Sequence, residues 1–332
     1  MSNEKVNNVN PIVYIDRLDL KPDGRQFDAA AHAIELGPAV HAARAVFIKP
    51  NLTYPYYKKG VTTRAESVEE IVKMLLRINR KLKIFVGEGE GGYNSFSMSK
   101  AMSDMGFDDI AVRHSNVEIV NLSSIPTKSI EIKTQKGPYR LDLPEMFFKE
   151  VDFSISVPLP KIHCITKVTL SYKNQWGCLP DVMRLKNHYM FSHLISNIAS
   201  LLKFKYAFLD GKYGLDVNGP MDGDPVEVNW FVASNSLGAF DMVVSEMMGF
   251  DWKQVRHLKT SAKYGDMPNR ETVQIIGDIN LLKRKFTLRR SIWNYPALAG
   301  FQSKNLTQLF YFSRWAKFLH DVMYTFRERP IQ

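Results

Sequence analysis

The chain contains little cysteine: Cys164 and Cys178 are the two cysteines in 332 residues. Two thiols cannot build the disulfide framework of a small secreted protein. They also cannot supply the four ligands of a structural zinc site or of an iron–sulfur cluster. We therefore expect a cytoplasmic protein in a reducing setting, without an intrinsic iron–sulfur cluster.

Long apolar runs are missing as well. No segment has the roughly 18 uninterrupted apolar residues that a membrane-spanning helix needs, and residues 1–11 lack the basic-then-apolar order of a signal peptide. The sequence therefore predicts a soluble protein, or one that associates with a membrane only peripherally.

Three common catalytic motifs are absent: the GxSxG, HExxH and P-loop patterns. The simplest assignments as serine hydrolase, zinc protease or NTPase are therefore excluded. A glycine-rich run at 87–92 superficially resembles a dinucleotide-binding loop, but its spacing differs. Glu88 and Glu90 in that run would also repel a pyrophosphate.

Positive charge is concentrated at one end of the chain. Hydrophobic residues make up 45% and charged residues 23% of the sequence, as in an ordinary folded protein. The net charge is +10, and residues 283–332 carry ten Lys or Arg against two acidic residues. We therefore divide the chain into a body, residues 1–280, and a basic, aromatic tail, residues 281–332. Whether the body has one lobe or two is left open.

The body alternates strand-like and helix-like patterns. Seven short apolar segments are typical of strands, at residues 12–15, 45–48, 84–86, 117–122, 153–157, 207–209 and 230–233. Five segments between them carry apolar residues at helical spacing, at residues 27–36, 65–80, 97–105, 191–202 and 237–248. This order predicts a layered α/β fold with a mostly parallel or mixed sheet flanked by helices. Residues 130–134 and 139–141 predict a small β-hairpin insertion.

Polar residues follow the end of the second predicted strand. Lys49 and Asn51 come directly after it, and Thr62 and Thr63 precede the next helix. Hydroxyls and backbone N–H groups at a helix start, with a lysine nearby, form an anion site. The alternative for Thr63 is simple capping of the helix.

The densest cluster of polar side chains follows the strand at 153–157, in the run VPLPKIHCITKVTLSYKNQWG at 157–177. Lys161 and Lys173 can hold a carboxylate or a phosphate, and His163 can move a proton near neutral pH. Asn174 shapes the same turn and His188 joins from a neighbouring loop. Since open α/β sheets bind ligands at the carboxyl ends of their strands, we expect these groups to share one cleft.

Two carboxylates also stand at strand ends. We predict that Glu88 or Asp210 acts as a partner base or as the ligand of a divalent metal, with Asp222 as a third metal candidate. For Glu88 the alternative is an ion pair with a strand-end lysine. For most of the Asp-rich loop after Asp210 the alternative is turn formation, since its spacing does not fit an EF-hand.

The ordered motifs resemble the DUF362 family, a group of largely uncharacterised proteins. The matching pieces include KPNL at 49–52, GVTT at 60–63, GEG at 87–89, SVPLPKIH at 156–163 and TxxTxxxKN at 166–174. They continue with LDG at 209–211 and cover about residues 45–250. Many relatives carry a cysteine-rich, ferredoxin-like segment, which this chain lacks. The resemblance implies the fold and the site; it specifies no reaction, and electron transfer would need a separate partner.

The tail has two interpretations. Residues 306–326 place apolar side chains around much of a helix, with Arg314 on a polar strip. Phe310, Trp315, Phe318 and Val322 either pack on the body or across a homodimer, or they contact an anionic membrane surface or a lipid-linked substrate. Nucleic acid is a poor fit, because the body is not basic.

The sequence thus predicts an enzyme for a small anionic substrate. Lys161 and Lys173 would hold the anion and His163 would shuttle a proton, in acid–base chemistry or in cofactor-dependent reduction. The competing hypothesis is a non-catalytic, membrane-peripheral protein whose pocket only captures a ligand.

Overall fold

The computed structural model describes residues 10–19, 24–91, 96–292, 294–316, 318 and 321. The strands in these residues are β1 (Ile12–Arg17), β2 (Ala45–Pro50), β3 (Lys83–Glu88), β4 (Val117–Asn121), β5 (Thr127–Thr134), β6 (Gly137–Pro144), β7 (Phe153–Val157), β8 (Lys161–His163), β9 (Lys167–Thr169), β10 (Phe204–Phe208), β11 (Gly211–Asp216), β12 (Asp224–Ser234) and β13 (Gln274–Ile276).

The helices are α1 (Arg25–Ala33), α2 (Leu36–Ala42), α3 (Ala65–Ile78), α4 (Met98–Asp104), α5 (Phe107–Arg113), α6 (Met146–Lys149), α7 (Ser171–Asn174), α8 (Phe191–Leu201), α9 (Leu237–Met247), α10 (Arg256–Lys263), α11 (Ile279–Leu282), α12 (Asn294–Gln302) and α13 (Lys304–Thr307). Short 3₁₀ turns cover Gln175–Cys178 and Arg184–Met190, and a π-helical turn covers Gln308–Phe312.

One large mixed sheet organises the chain. Its order is β4-β3-β2-β7-β10-β12-β11-β8-β9, and β1 pairs with both β12 and β13. The five strands from β4 to β10 are mutually parallel, whereas β12 runs antiparallel to β10 and β11. The predicted α/β class is confirmed. The predicted hairpin insertion is β5–β6, an antiparallel pair outside the large sheet.

Burial on both faces explains the unbroken apolar strands. In β2, Val46 and Ile48 pack in one hydrophobic cluster, while Phe47 packs in the cluster on the other face of the sheet. In β7 serines alternate with apolar residues, which is typical of a strand with one more polar face; yet Ser154 and Ser156 are 0% exposed. The Ser154 hydroxyl donates to the Leu202 carbonyl oxygen at 2.6 Å, which satisfies it inside the core.

Parallel pairing brings three strand ends to one edge. β2 lies between β3 and β7, in register at Ile48↔Val86 and Ile48↔Ile155. The carboxyl ends of these strands, at Pro50, Glu88 and Val157, therefore lie side by side. Polar groups that are far apart in the sequence meet there.

Thr63 connects two of these strand ends and does not cap α3. Its hydroxyl accepts from the Asn51 N–H at 2.8 Å and donates to the Val157 carbonyl oxygen at 2.9 Å. The residue at the N-cap of α3 is Arg64, whose side chain makes no capping bond to the helix backbone. The capping alternative for Thr63 is therefore wrong.

Two segments that we interpreted as loops contain strands. The run after Val157 holds the short hairpin β8–β9, paired at Lys161↔Thr169 and His163↔Lys167. The segment after Asp210 begins with β11, which pairs with β12 and meets β8 at Leu215↔Lys161. The β8–β9 hairpin folds over the carboxyl edge of the sheet. Lys161 and His163 are two residues apart in β8, so their side chains lie on the same face of the hairpin.

The tail packs on the body through two phenylalanines. Phe286 is 2% exposed, with its ring centroid 5.9 Å from that of Trp230. Phe301, in α12, contacts His188 and Phe191 at centroid distances of 5.0 and 5.4 Å. Trp315 and Phe318 are exposed instead of packed, and Val322 lies outside the described residues.

Candidate functional site

A cleft of about 110 Å³ lies where the β8–β9 hairpin covers the carboxyl edge of the sheet. Six of the predicted site residues line it: Asn51, Glu88, Lys161, His163, Lys173 and Asn174. The structure therefore brings together side chains that the sequence separates by up to 123 positions.

Lys49 and Glu88 form a buried ion pair beneath the cleft. Lys49 Nζ is 2.5 Å from Glu88 Oε2, and their side chains are 0% and 4% exposed. Glu88 also accepts from the backbone N–H groups of Leu52 and Gly89, each at 3.1 Å. This ion pair with a strand-end lysine is the alternative that the sequence offered for Glu88. Protein donors already occupy both oxygens of the carboxylate.

Gly177 leaves room for this ion pair. A Cβ atom at position 177 would lie 2.1 Å from Glu88 Oε1 and 3.0 Å from Lys49 Nζ. Any side chain there would displace the carboxylate, so the close approach requires glycine. The presence of glycine at position 177, three residues after Asn174, thus has a local steric reason.

Lys161 is fully buried, and protein oxygens surround its amine. Nζ donates to Asn51 Oδ1 at 2.7 Å, to Thr53 Oγ1 at 3.1 Å and to the Val61 carbonyl oxygen at 2.9 Å. An ammonium has three N–H donors, so these acceptors satisfy it. Burial holds the pKa of Lys161 well below its usual value, and the Lys173 and Lys49 cations add to this effect.

Asn51 and Asn174 hold the loop after β2 against α7. Asn51 Nδ2 donates to Asn174 Oδ1 at 3.0 Å, and Asn174 Nδ2 donates to the Lys49 carbonyl oxygen at 2.9 Å and to Ser156 Oγ at 3.1 Å. Both amides are therefore engaged with the protein and act mainly as a frame for the cleft.

His163 presents one ring nitrogen to the cleft. Its Nδ1 accepts from the Ile165 N–H at 3.1 Å, which assigns the proton of the neutral ring to Nε2. Burial holds the pKa of His163 well below its usual value, and the Lys173 and Lys161 cations act in the same direction. Near neutral pH the ring is therefore neutral and offers an Nε2–H donor.

Lys173 differs from the other two lysines of the site. Its Nζ lies 5.5 Å from the centre of the Phe191 ring, and no described residue accepts a hydrogen bond from it. Burial lowers the pKa of Lys173 to about 8; Cys164 opposes this effect and the Arg184 cation adds to it. The amine is open to a ligand.

Two further polar groups of the cleft have no protein partner. Thr169 Oγ1 and Trp176 Nε1 are buried, and neither makes a hydrogen bond to any described residue. Thr169 is 2% and Trp176 5% exposed, and both line the cleft. The sequence gives no sign of this role for Trp176, because a single tryptophan is more often a packing residue than a group with an unpaired N–H.

Arg184 is a cleft residue that the sequence analysis missed. It lines the cleft and donates to the backbone carbonyl oxygens of Gly89, Glu90 and Leu179. Gly91 lies so close that a Cβ there would be 2.3 Å from the guanidinium carbon. No motif marks an arginine whose partners are backbone atoms distant in the chain.

Besides Lys49 and Asp222, four predicted site residues lie outside the cleft lining. Asp210 accepts from the Arg64 backbone N–H at 2.7 Å and side-chain Nε at 2.8 Å, and from Ser67 Oγ at 2.9 Å, at the start of α3. The Thr62 hydroxyl accepts from the Lys58 N–H, and Thr63 bridges the ends of β2 and β7. His188 packs between the rings of Trp176 and Phe301, and burial lowers its pKa to about 3.

The predicted metal ligands do not come together. Glu88 pairs with Lys49, Asp210 pairs with Arg64, and Asp222 is exposed. Within the described ranges no three His, Cys, Asp or Glu side chains cluster around a point that could hold a cation.

In the same ranges no helix has the length and hydropathy needed to cross a membrane. Cys164 and Cys178 are both buried, and they do not form a disulfide with each other.

The comparisons with known proteins identify a family and give no activity. Residues 46–246 match the family described as "Domain of unknown function (DUF362)". The chain is 28% identical to the thylakoid-associated protein sll1697 of Synechocystis sp. over 126 residues. That match spans 36% of this chain and 39% of the relative.

Two solved structures show weak likeness. One is the lactate racemase apoprotein from Thermoanaerobacterium thermosaccharolyticum, at 13% identity and a TM-score of 0.45, covering 77% of this chain and 57% of that one. The other is a protein from Thermotoga maritima, at 10% identity and a TM-score of 0.31, covering 61% and 53%.

Proposed function

The chain belongs to the DUF362 family, and from that premise we propose that its cleft binds a small, oxygen-rich anion and acts on it by acid–base chemistry. The proposal depends on one observation: the polar groups that the protein leaves open in the cleft are hydrogen-bond donors. A carboxylate or a phosphate offers the acceptors that these donors lack.

The donor count supports an anion over a cation or a neutral sugar. An ammonium and an indole N–H are donors only, so Lys173 and Trp176 both call for acceptors. His163 adds its Nε2–H, and the Thr169 hydroxyl serves either role. Among the described residues that line the cleft, Glu88 is the one carboxylate, and it is already paired with Lys49. A bound anion would therefore meet a positive field with no free carboxylate to repel it.

Volume limits the size of the ligand. The cleft volume of about 110 Å³ is below the roughly 300–1,000 Å³ of ordinary small-molecule pockets. The proposal is therefore for a compact anion and not for a nucleotide.

The roles differ from those predicted from sequence in one respect. The sequence predicted that His163 shuttles a proton. In the proposed role the neutral ring keeps its proton and donates a hydrogen bond to an oxygen that becomes negative during the reaction. Lys173, with its pKa lowered to about 8, is the group that gains and loses a proton near neutral pH. Arg184 contributes positive charge from a position fixed by three backbone carbonyl oxygens.

Calorimetric titration with oxalate and with inorganic phosphate tests the binding part of the proposal. We expect the wild type to bind at least one of them and Lys173→Ala to bind it about tenfold more weakly or worse, since a hydrogen bond to a charged group contributes about 1.5–3 kcal/mol. Lys186→Ala is the matched control, because Lys186 carries the same charge on an exposed side chain outside the cleft. Absence of binding by the wild type, or equal losses in both variants, would refute the anion site.

Exchange of the α-proton of lactate and of malate into heavy water, followed by NMR, tests the chemistry. We expect exchange by the wild type and a loss of about a hundredfold or more in His163→Ala, as for the removal of a hydrogen-bond donor to a developing oxyanion. If the anions bind and neither exchanges, the site is a binding pocket without catalysis.

A second candidate function is peripheral membrane association, favoured by the exposed face of the tail. Leu309, Phe312, Trp315 and Phe318 are 42%, 37%, 54% and 61% exposed, and the Arg314 guanidinium lies 5.2 Å from the Trp315 ring centre. Exposed aromatic and basic side chains together suit an anionic lipid surface. The name of the Synechocystis relative, a thylakoid-associated protein, points the same way.

Sedimentation with phosphatidylglycerol and with phosphatidylcholine vesicles tests this association. The wild type should sediment with the anionic vesicles at low salt, and the double variant Trp315→Ser, Phe318→Ser should not. Val112→Ser is the control, because Val112 is 84% exposed on α5, elsewhere on the body. A wild type that stays in the supernatant but elutes as a dimer would assign the face to a second copy of the chain.

A further inference from the structure

The three lysines at the cleft have different partners. Lys49 is paired with a carboxylate, and Lys161 is bonded to three oxygens. Lys173 contacts the face of a phenylalanine, and among the described residues nothing accepts from its nitrogen. Two of the amines are therefore engaged with protein oxygens, whereas the third is available for reaction.

The surroundings of Lys173 keep part of the amine in its neutral, nucleophilic form. Phe191 and Trp176, whose ring centroids are 4.9 Å apart, form an apolar wall beside it. The pKa of Lys173, lowered by burial to about 8, leaves roughly one tenth of the amine neutral at pH 7. A desolvated lysine beside other cations is a recognised way to activate an amine toward carbonyl carbon.

We propose that Lys173 Nζ condenses with the carbonyl carbon of a small 2-oxo acid, so that the substrate is held as a Schiff base. This inference deepens the proposed function and rests on it, because the same donors must first bind the anion. A 2-oxo acid has a carboxylate next to a carbonyl, so it offers oxygen acceptors on two adjacent carbons. Those acceptors match the open donors of His163, Trp176 and Thr169.

The step is balanced without an oxidant or a metal. The Nζ lone pair attacks the carbonyl carbon, and the π electrons of the C=O bond move to oxygen. That oxygen takes one proton released from Nζ, which gives a carbinolamine. The hydroxyl takes the second proton and leaves as water while the nitrogen lone pair forms the C=N bond. The His163 Nε2–H stabilises the oxygen as its charge develops and keeps its own proton.

Reductive trapping tests the inference. The full chain is incubated with pyruvate or glyoxylate and sodium cyanoborohydride, and modified lysines are located by peptide mass spectrometry. We expect an adduct on the peptide that contains Lys173 at well over tenfold the level found on exposed lysines such as Lys186. Lys173→Arg should lose this adduct, and Lys186→Arg, the matched control, should keep it.

A competition arm keeps the test informative if Lys173→Arg does not fold. Oxalate offers the same carboxylate oxygens as a 2-oxo acid but has no ketone or aldehyde carbon to condense, so it should protect Lys173 of the wild type and leave the exposed lysines unchanged. An adduct on Lys173 no stronger than on Lys186, or one that oxalate does not reduce, overturns the inference.

The two proposals fail in different ways. If oxalate and pyruvate bind by calorimetry but no adduct forms on Lys173, the Schiff base is wrong and the anion site stands. If neither compound binds and none is trapped, both proposals fall together.

Discussion

Lys173 is the residue whose charge depends most directly on its environment near neutral pH. Its neighbours are rings and other cations, and no described acceptor offsets its burial. Lys161 is more completely buried, and burial lowers its pKa as well, but three oxygen partners hold its amine in place. The hydrogen-bond partners thus decide which lysine is structural and which is free to act.

At the residue scale, the affinity for oxalate should fall as the pH rises through about 8. The pKa of Lys173 is lowered from 10.5 to about 8, so the amine is an ammonium below that pH and neutral above it. Loss of the charge removes a charge-assisted hydrogen bond, about 1.5–3 kcal/mol or more than tenfold in affinity. Calorimetric titrations at a series of pH values would measure it.

Lys173→Arg is the control for this titration, because a guanidinium keeps its charge throughout the range. Its affinity should stay level where that of the wild type drops. A wild-type affinity that is unchanged between one pH unit below and one above 8 would show that Lys173 does not contact the anion.

At the scale of elements, the short helix α7 is positioned by a carboxylate from α9. Asp241 is 0% exposed. It accepts from the Ser171 N–H at 2.7 Å, from the Ser171 hydroxyl at 2.6 Å and from the Tyr172 N–H at 3.1 Å. Lys173 and Asn174 follow directly, so Asp241 fixes where both side chains enter the cleft.

The stability of the wild type relative to Asp241→Asn should depend on pH in a defined window. Burial raises the pKa of Asp241 from 3.8 to about 7, against hydrogen bonds that favour the ionised form. The native state therefore holds the proton more tightly than the unfolded state. The contribution of the Asp241 proton to the free energy of unfolding is complete below the unfolded pKa of 3.8 and is lost as the pH rises to about 7.

Urea unfolding at several pH values would measure this difference. The free energy of unfolding of the wild type should fall relative to that of Asp241→Asn up to about pH 7, and the two curves should run parallel above it. Asp104→Asn, at an exposed carboxylate, is the control and should show no such trend. If the stability curves of the wild type and Asp241→Asn run parallel over the whole pH range, the pKa of Asp241 is not raised.

Sequence patterns predict the strands of the sheet better than the elements above its edge. Strands such as β2 are unbroken apolar runs because both of their faces are buried, and that pattern is visible in the sequence. The three-residue strands β8 and β9 are too short and too polar to show a period. Asp210 stands at a strand end as predicted, yet its carboxylate meets Arg64, because sequence order does not reveal to which side of the sheet an end residue turns. Arg184 bonds backbone atoms, which leave no pattern in the side chains.

At the scale of the whole molecule, the tail is part of the folded body up to α12. Phe286 fills a site against Trp230 and the backbone of Gly214, where an added Cβ would lie 2.8 Å from the ring. Phe301 closes the aromatic cluster beside His188. The division at residue 280 was predicted from the concentration of basic residues. The buried rings of Phe286 and Phe301 show that this part of the tail packs on the body.

Phe286→Ala should lower the free energy of unfolding by about 3–5 kcal/mol, the usual cost of removing a buried phenylalanine. Trp315→Ala should change it by less than about 0.5 kcal/mol, because the ring is 54% exposed. Chemical denaturation of both variants would measure the difference. Equal effects of the two substitutions would mean that the tail is not divided into a packed and an exposed part.

The amine of Lys161 joins two parts of a loop that is distant in sequence from its own strand. It bonds Asn51 and Thr53 at the start of a loop and the carbonyl of Val61 near the end of the same loop. This arrangement is a cross-link made from an ammonium group instead of a disulfide. Thiol reagents and glutathione cannot open it, so the shape of the loop is independent of the redox potential around the protein.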